Sequence, residues 1–121
     1  MMPFKIAAVQ AAPVVLDREA TLDRACELIA EAGRSGARLA VFPEAFIPTY
    51  PDWVWRIPPG RHRMLANAYA ELLEQSVEIP GSVTERLCEA ARQARIYLVM
   101  GLNQRNAQAS NASLYNTLLY I

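Results

Sequence analysis

The segment Ala37–Trp55, ARLAVFPEAFIPTYPDWVW, constrains the fold more than any other stretch of the chain. Leu39–Phe42 is apolar at every position. Continuous apolarity over strand length, rather than alternation, marks a strand of a sheet covered on both faces. The run stops at Pro43, and the next residue is the carboxylate Glu44, followed by a loop carrying Pro48, Tyr50, Pro51, Trp53 and Trp55. In an open α/β sheet ligands collect outside the carboxyl ends of the strands, so Glu44 is placed for acid–base work. A lone Pro-Glu in a turn is more often a solvated acid. The long aromatic loop behind this one raises its weight, because long ordered loops in compact domains are usually functional.

The flanking segments complete an α/β pattern. Phe4–Gln10 reads as a short strand. Asp17 can cap a helix running to about Gly33, with Leu22, Ala25, Cys26 and Ile29 on one face at helical spacing. Strand, helix and strand in this order predict a βαβ unit with parallel strands. Ile47–Arg61 is broken by Pro48, Pro51, Pro58, Pro59 and Gly60 and is expected to be irregular. A helix over Arg63–Gln75 presents Leu65, Tyr69, Leu72 and Leu73. Ser82 with Glu85 reads as a capping box opening a helix to about Arg95. Tyr97–Leu102 is a third apolar strand, Asn103–Ser113 is turn-like, and Leu114–Ile121 is a fourth, alternating strand. The chain stops inside that strand, which predicts an incomplete domain, since natural domains avoid an unpaired apolar edge.

Composition narrows the class. With 121 residues there is room for one domain, and a hydrophobic fraction of 53% argues for a packed core rather than disorder. Twelve basic residues balance twelve acidic ones, which disfavours a nucleic-acid partner. No apolar run has the length needed to cross a bilayer. The N-terminal apolar stretch loosely imitates a signal peptide, but Gln10 and Pro13 interrupt it; it reads as structure, and the protein as cytoplasmic. Cys26 and Cys88 lack metal-type spacing and fall on the apolar stripes of the helices, so both are expected to be buried core residues.

The segments KIAAVQAAPV, GARLAVFPEAFIPTYPDWVW, YLVMGLNQR and SLYNTLLYI together resemble the N-terminal part of the nitrilase branch of the carbon–nitrogen hydrolases, over residues 4–121. The resemblance implies an α/β fold, the N-terminal part of an α-β-β-α sandwich that is incomplete in this chain, so that residues 1–121 would be the N-terminal portion of a single hydrolase domain. It implies hydrolysis of a nitrile to a carboxylic acid and ammonia by a Glu, a Lys and a Cys. Glu44 matches the general base. The catalytic Lys and the Cys nucleophile are absent. Lys5, the sole lysine, sits at the start of the first strand, and neither Cys26 nor Cys88 follows a strand.

The same resemblance places Tyr50 in the loop bordering the substrate, with packing under the loop as its rival role. Trp53 and Trp55 alternate and so are expected to face one way, most simply buried against the protein's own body. His62 reads as a surface helix start. Asn103 and Asn116 read as structural residues that hydrogen-bond backbone. No metal and no organic cofactor is implied. The expected partners are a small nitrile, the remaining portion of the domain, and further copies of the complete protein. Two alternatives stay open: an amidase or carbamoylase of the same superfamily, and a non-catalytic interaction module.

Overall fold

The computed structural model describes residues 2–121. In chain order the elements are β1 Lys5–Ala8, α1 Arg18–Arg34, β2 Ala37–Val41, α2 Trp53–Arg56, α3 His62–Gln75, β3 Val77–Glu78, α4 Ser82–Ala94, β4 Tyr97–Arg105 and β5 Leu114–Tyr120. The βαβ expectation holds: β1 pairs β2 in parallel and β2 pairs β4 in parallel. β4 is the hub of the sheet. One of its edges carries β2 and then β3; the other carries β5, antiparallel along seven register pairs.

Helices α1 and α4 cover one face. Leu22, Ala25 and Ile29 of α1 and Val83, Leu87 and Ala91 of α4 bury against Ala40, Leu98, Met100 and Leu102 of the strands. The helices approach closely at Gly33, where a Cβ would lie 2.9 Å from the Cβ of Ala94. Asp17 caps α1 as its position predicts, accepting a 2.9 Å hydrogen bond from the Ala20 N–H. Much of the opposite face is open: Ile6, Tyr97, Leu118 and Tyr120 are 53%, 67%, 52% and 72% exposed. Two helices thus cover one face, while α2 and α3 border only part of the other.

Several local expectations need correction. The helix at Ser82 is not capped by a Ser82/Glu85 box. Gly81 is the N-cap, and Thr84 closes the turn, its hydroxyl accepting from the Gly81 N–H at 3.0 Å and donating to the Gly81 carbonyl at 2.8 Å. The proline-punctuated loop still holds one helical turn, α2, because its prolines flank Trp53–Arg56 instead of interrupting it. β4 runs on to Arg105, three residues beyond the apolar run, because β5 and β3 supply partners for its polar end. Of the α3 face only Leu72 is buried, while Leu65 and Tyr69 are 37% and 40% exposed.

The passage from β2 to the loop sets up the functional site. The Phe42 N–H donates to the Val99 carbonyl at 2.9 Å, and the next donor to the Gly101 carbonyl is Ile47, at 3.3 Å. A regular parallel ladder steps by two residues, so Ile47 rejoins β4 three residues late. The departure begins at Pro43, whose missing N–H ends β2 on its β1 edge. The extruded Pro43–Phe46 segment leans across β4 at Gly101, on the face away from α1 and α4. A Cβ there would lie 2.1 Å from the Pro43 carbonyl oxygen and 2.9 Å from the Glu44 Cα. Both obstacles are backbone and cannot rotate away. Gly101→Ala is accordingly expected to lower stability by about 1–3 kcal/mol and to shift the backbone amide signals of Glu44 and Ala45. An unchanged denaturant midpoint together with unchanged amide signals would show that no such close crossing exists.

Candidate active site

Glu44 lies at the crest of the extruded segment, and the residues around it are locked. Ala45, directly after it, adopts φ +49°, a left-handed conformation that costs a non-glycine residue energy and persists only where the surroundings impose it. Ala45 through Thr49 are buried. The rings of Phe42 and Phe46, one on each side of the crest, pack edge to face with centroids 5.2 Å apart. Beyond the crest, the Asn103 N–H donates to the Ile47 carbonyl at 2.9 Å, and the buried Asn103 side chain donates to the Thr49 carbonyl at 2.8 Å. Asn103 thus has the backbone-bonding role its sequence suggests.

Asn116 does not. Its side-chain amide donates to one carboxylate oxygen of Glu44 at 2.5 Å, a charge-assisted contact between residues 72 apart in the chain. Asn116 faces Asn103 across the β4–β5 ladder. The sequence carried no signal for this pairing, because the register of β5 decides which of its residues lies beside the crest.

Asn116 also lines a cavity of about 540 Å³ on the same side of the sheet, walled by Pro51, Trp53, His62, Leu65 and Tyr69. Its surface is chiefly apolar, with Asn103 and Asn116 as the polar end. That is the composition expected where a few polar groups orient an apolar ligand. The Tyr69 hydroxyl donates to the Ala112 carbonyl, tying α3 to the loop before β5. His62 opens α3 as expected, and it also contributes to the cavity wall. Tyr50 belongs to the same loop but is 45% exposed; the wall there is formed by Pro51, Trp53 and Val54. The two tryptophans do not face one way. They lie on one turn of helix, where residues two apart point to different sides. Trp53 meets the cavity, while Trp55, 79% exposed, is not buried against the body. Among the described residues no three His, Cys, Asp or Glu side chains converge as a metal centre requires.

The lysine and the two cysteines lie elsewhere. The Lys5 ammonium donates to the Ser35 carbonyl at 2.6 Å, at the start of β1 and so at the opposite end of the parallel strands from Glu44. Cys26 is half-buried between α1 and α4, and Cys88 is exposed on α4. The expectation that both are buried therefore fails for Cys88, which lies beside the apolar stripe of α4 rather than on it. Burial pushes the Cys26 thiol above its ordinary range, with the nearby Asp23 carboxylate acting in the same direction and Arg86 opposing. Thiol reagents attack the thiolate. At mildly alkaline pH, mass spectrometry should therefore find iodoacetamide on Cys88 well before Cys26; equal labelling rates would contradict this burial.

With this geometry in view, comparison with known proteins is direct. The chain matches the carbon–nitrogen hydrolase family model over residues 5–121. It is 38% identical to a nitrilase from Bacillus sp. (strain OxB-1), covering 97% of this chain and 32% of that protein. It is 41% identical to an aliphatic nitrilase from Sinorhizobium fredii (strain HH103), covering 99% of this chain and 38% of that one. The chain thus spans about a third of the length of these relatives. Among solved structures it superposes on the C. elegans NitFhit protein with a TM-score of 0.64 at 22% identity, over 96% of this chain and 24% of that one. The half-covered sheet with its helices is accordingly part of a nitrilase-like domain, and the chain belongs to the carbon–nitrogen hydrolase family.

Proposed function

We propose that this chain is the base-carrying segment of an enzyme that hydrolyses nitriles to carboxylic acids and ammonia, with Glu44 as the general base. The observation that carries the reading is the placement of Glu44. It stands on a locked crest at a strand end, with one carboxylate oxygen held by Asn116, which itself lines an apolar cavity. The names of the relatives at 38–41% identity support a nitrile as substrate. An amidase from Nesterenkonia sp. stands at 26% identity with a TM-score of 0.50, which gives the amide reading less support.

In this mechanism the Glu44 carboxylate takes the proton of a cysteine thiol, the thiolate attacks the nitrile carbon, and the proton passes from Glu44 to the nitrile nitrogen to give a thioimidate. Water adds to the thioimidate and ammonia leaves, giving a thioester. A second water, its proton drawn off by Glu44, releases the acid and regenerates the thiol. A lysine stabilises the negative charge that builds in each transition state. The cysteine and lysine would come from the remaining portion of the domain, because Lys5, Cys26 and Cys88 all lie away from the crest. That portion would cover the open face at Tyr97, Leu118 and Tyr120. Tyr50, in the loop leading to Pro51 and Trp53, would border the substrate. The complete protein is expected to form homo-oligomers in the cytoplasm, in keeping with two free cysteines.

The test replaces the corresponding first third of the Bacillus nitrilase with this chain. The graft should release ammonia from benzonitrile or an aliphatic nitrile faster than from the matching amide. Glu44→Gln, nearly isosteric, should cut that turnover by about a hundred- to ten-thousand-fold with an unchanged melting temperature. The 121-residue chain alone should release none. A graft with Glu44→Gln that works at the parental rate would remove Glu44 from the base role, and faster turnover of the amide would move the reading to an amidase.

A further inference from the structure

We infer that Asn116 is a positioning residue for Glu44: it clamps one carboxylate oxygen and thereby assigns proton uptake to the other. The inference rests on the reading of Glu44 as base and adds the device that aims it. A carboxylate at the end of a short side chain can rotate about its last bond, and a base whose oxygens exchange places spends part of its time misdirected. Placement of a reacting group to within about 1 Å can change a rate about a hundredfold.

The geometry supplies what such a clamp needs. Asn116 Nδ2 lies 2.5 Å from Glu44 Oε1. An ionised carboxylate only accepts hydrogen bonds, so the amide must turn its NH₂ group toward it. No second partner for the Glu44 carboxylate is found among the described residues, which leaves the other oxygen free to receive a proton. The clamp is mounted on rigid backbone. β5 pairs β4 through seven successive residues, and Asn116 lies opposite Asn103, whose side chain holds the Thr49 carbonyl. The two asparagines of one rung therefore hold both the carboxylate and the backbone just beyond it. Asn116 also borders the cavity, so the oxygen it occupies is fixed relative to the space a substrate would fill. Asn116 itself is exposed, and its replacement removes little packing.

Two measurements test the clamp. In the 121-residue chain, the Asn116 side-chain amide should show one proton displaced downfield by the carboxylate. Glu44→Gln should abolish that displacement while leaving the Asn103 amide unmoved; an Asn116 amide indifferent to Glu44→Gln would overturn the inference. In the nitrilase graft, Asn116→Ala should lower kcat by about ten- to a hundredfold with the melting temperature unchanged. Asn116→Gln, which keeps the donor on a longer arm, should recover part of the loss. Parental kcat in Asn116→Ala, in a graft that Glu44→Gln inactivates, would also overturn it. If Glu44→Gln fails to inactivate the graft, the base assignment falls, while the amide signal still decides whether the clamp exists.

Discussion

The site depends on one edge of one strand being shared. β4 accepts β2 along its first residues, loses it at Pro43, takes Ile47 in its place, and finishes against β3. The three extra residues this exchange creates have only one way to go, over the face of β4, and that face is passable because position 101 carries no side chain. The carboxylate therefore stands where it does because three residues are extruded between Phe42 and Ile47 and because position 101 carries no Cβ to block them. Neither feature is chemical in itself, yet together they lift Glu44 out of the sheet and set the Phe42 and Phe46 rings as its two abutments.

The sheet divides the labour between its faces. One meets α1 and α4 and carries the contiguous core of Leu22, Ile29, Leu87, Leu98 and Met100. The other carries Glu44, Asn116 and the cavity, together with a row of exposed apolar side chains that includes Tyr97 and Tyr120. Exposed aromatics in a row on a sheet are unusual for a surface in contact with water alone. Their presence on the side of the carboxylate fits a domain in which a second layer closes over both the apolar strands and the chemistry.

Where sequence reasoning succeeded, it relied on local rules with little competition. Asp17 caps α1 because a short acceptor before an apolar-periodic run has one low-energy use. Pro43-Glu44 marks a strand end because proline cannot continue a ladder. Where it failed, two local solutions were close in energy or a period was misassigned. Thr84 displaced Glu85 at the start of α4 because Gly81 supplied a cap one residue earlier. Cys88 misses the buried stripe, which passes one residue away through Leu87 and Ala91. Trp53 and Trp55 alternate as in a strand, but one helical turn sends them to different sides.

The sequence by itself determined the class of the fold and its family, and it singled out Glu44 as the candidate carboxylate. Apolar runs, helical spacing and the Pro-Glu step are properties of neighbouring residues, and short-range sterics and hydrogen bonding act on them directly. The tertiary structure alone decided what surrounds that carboxylate. Gly101, Asn103 and Asn116 reach Glu44 and its loop from 54 to 72 positions away in numbering. Their relevance exists only once β5 has chosen its register on β4. Register is a property of a pair of strands, set by backbone hydrogen bonds and by which face each side chain buries, and no window of a single chain contains it.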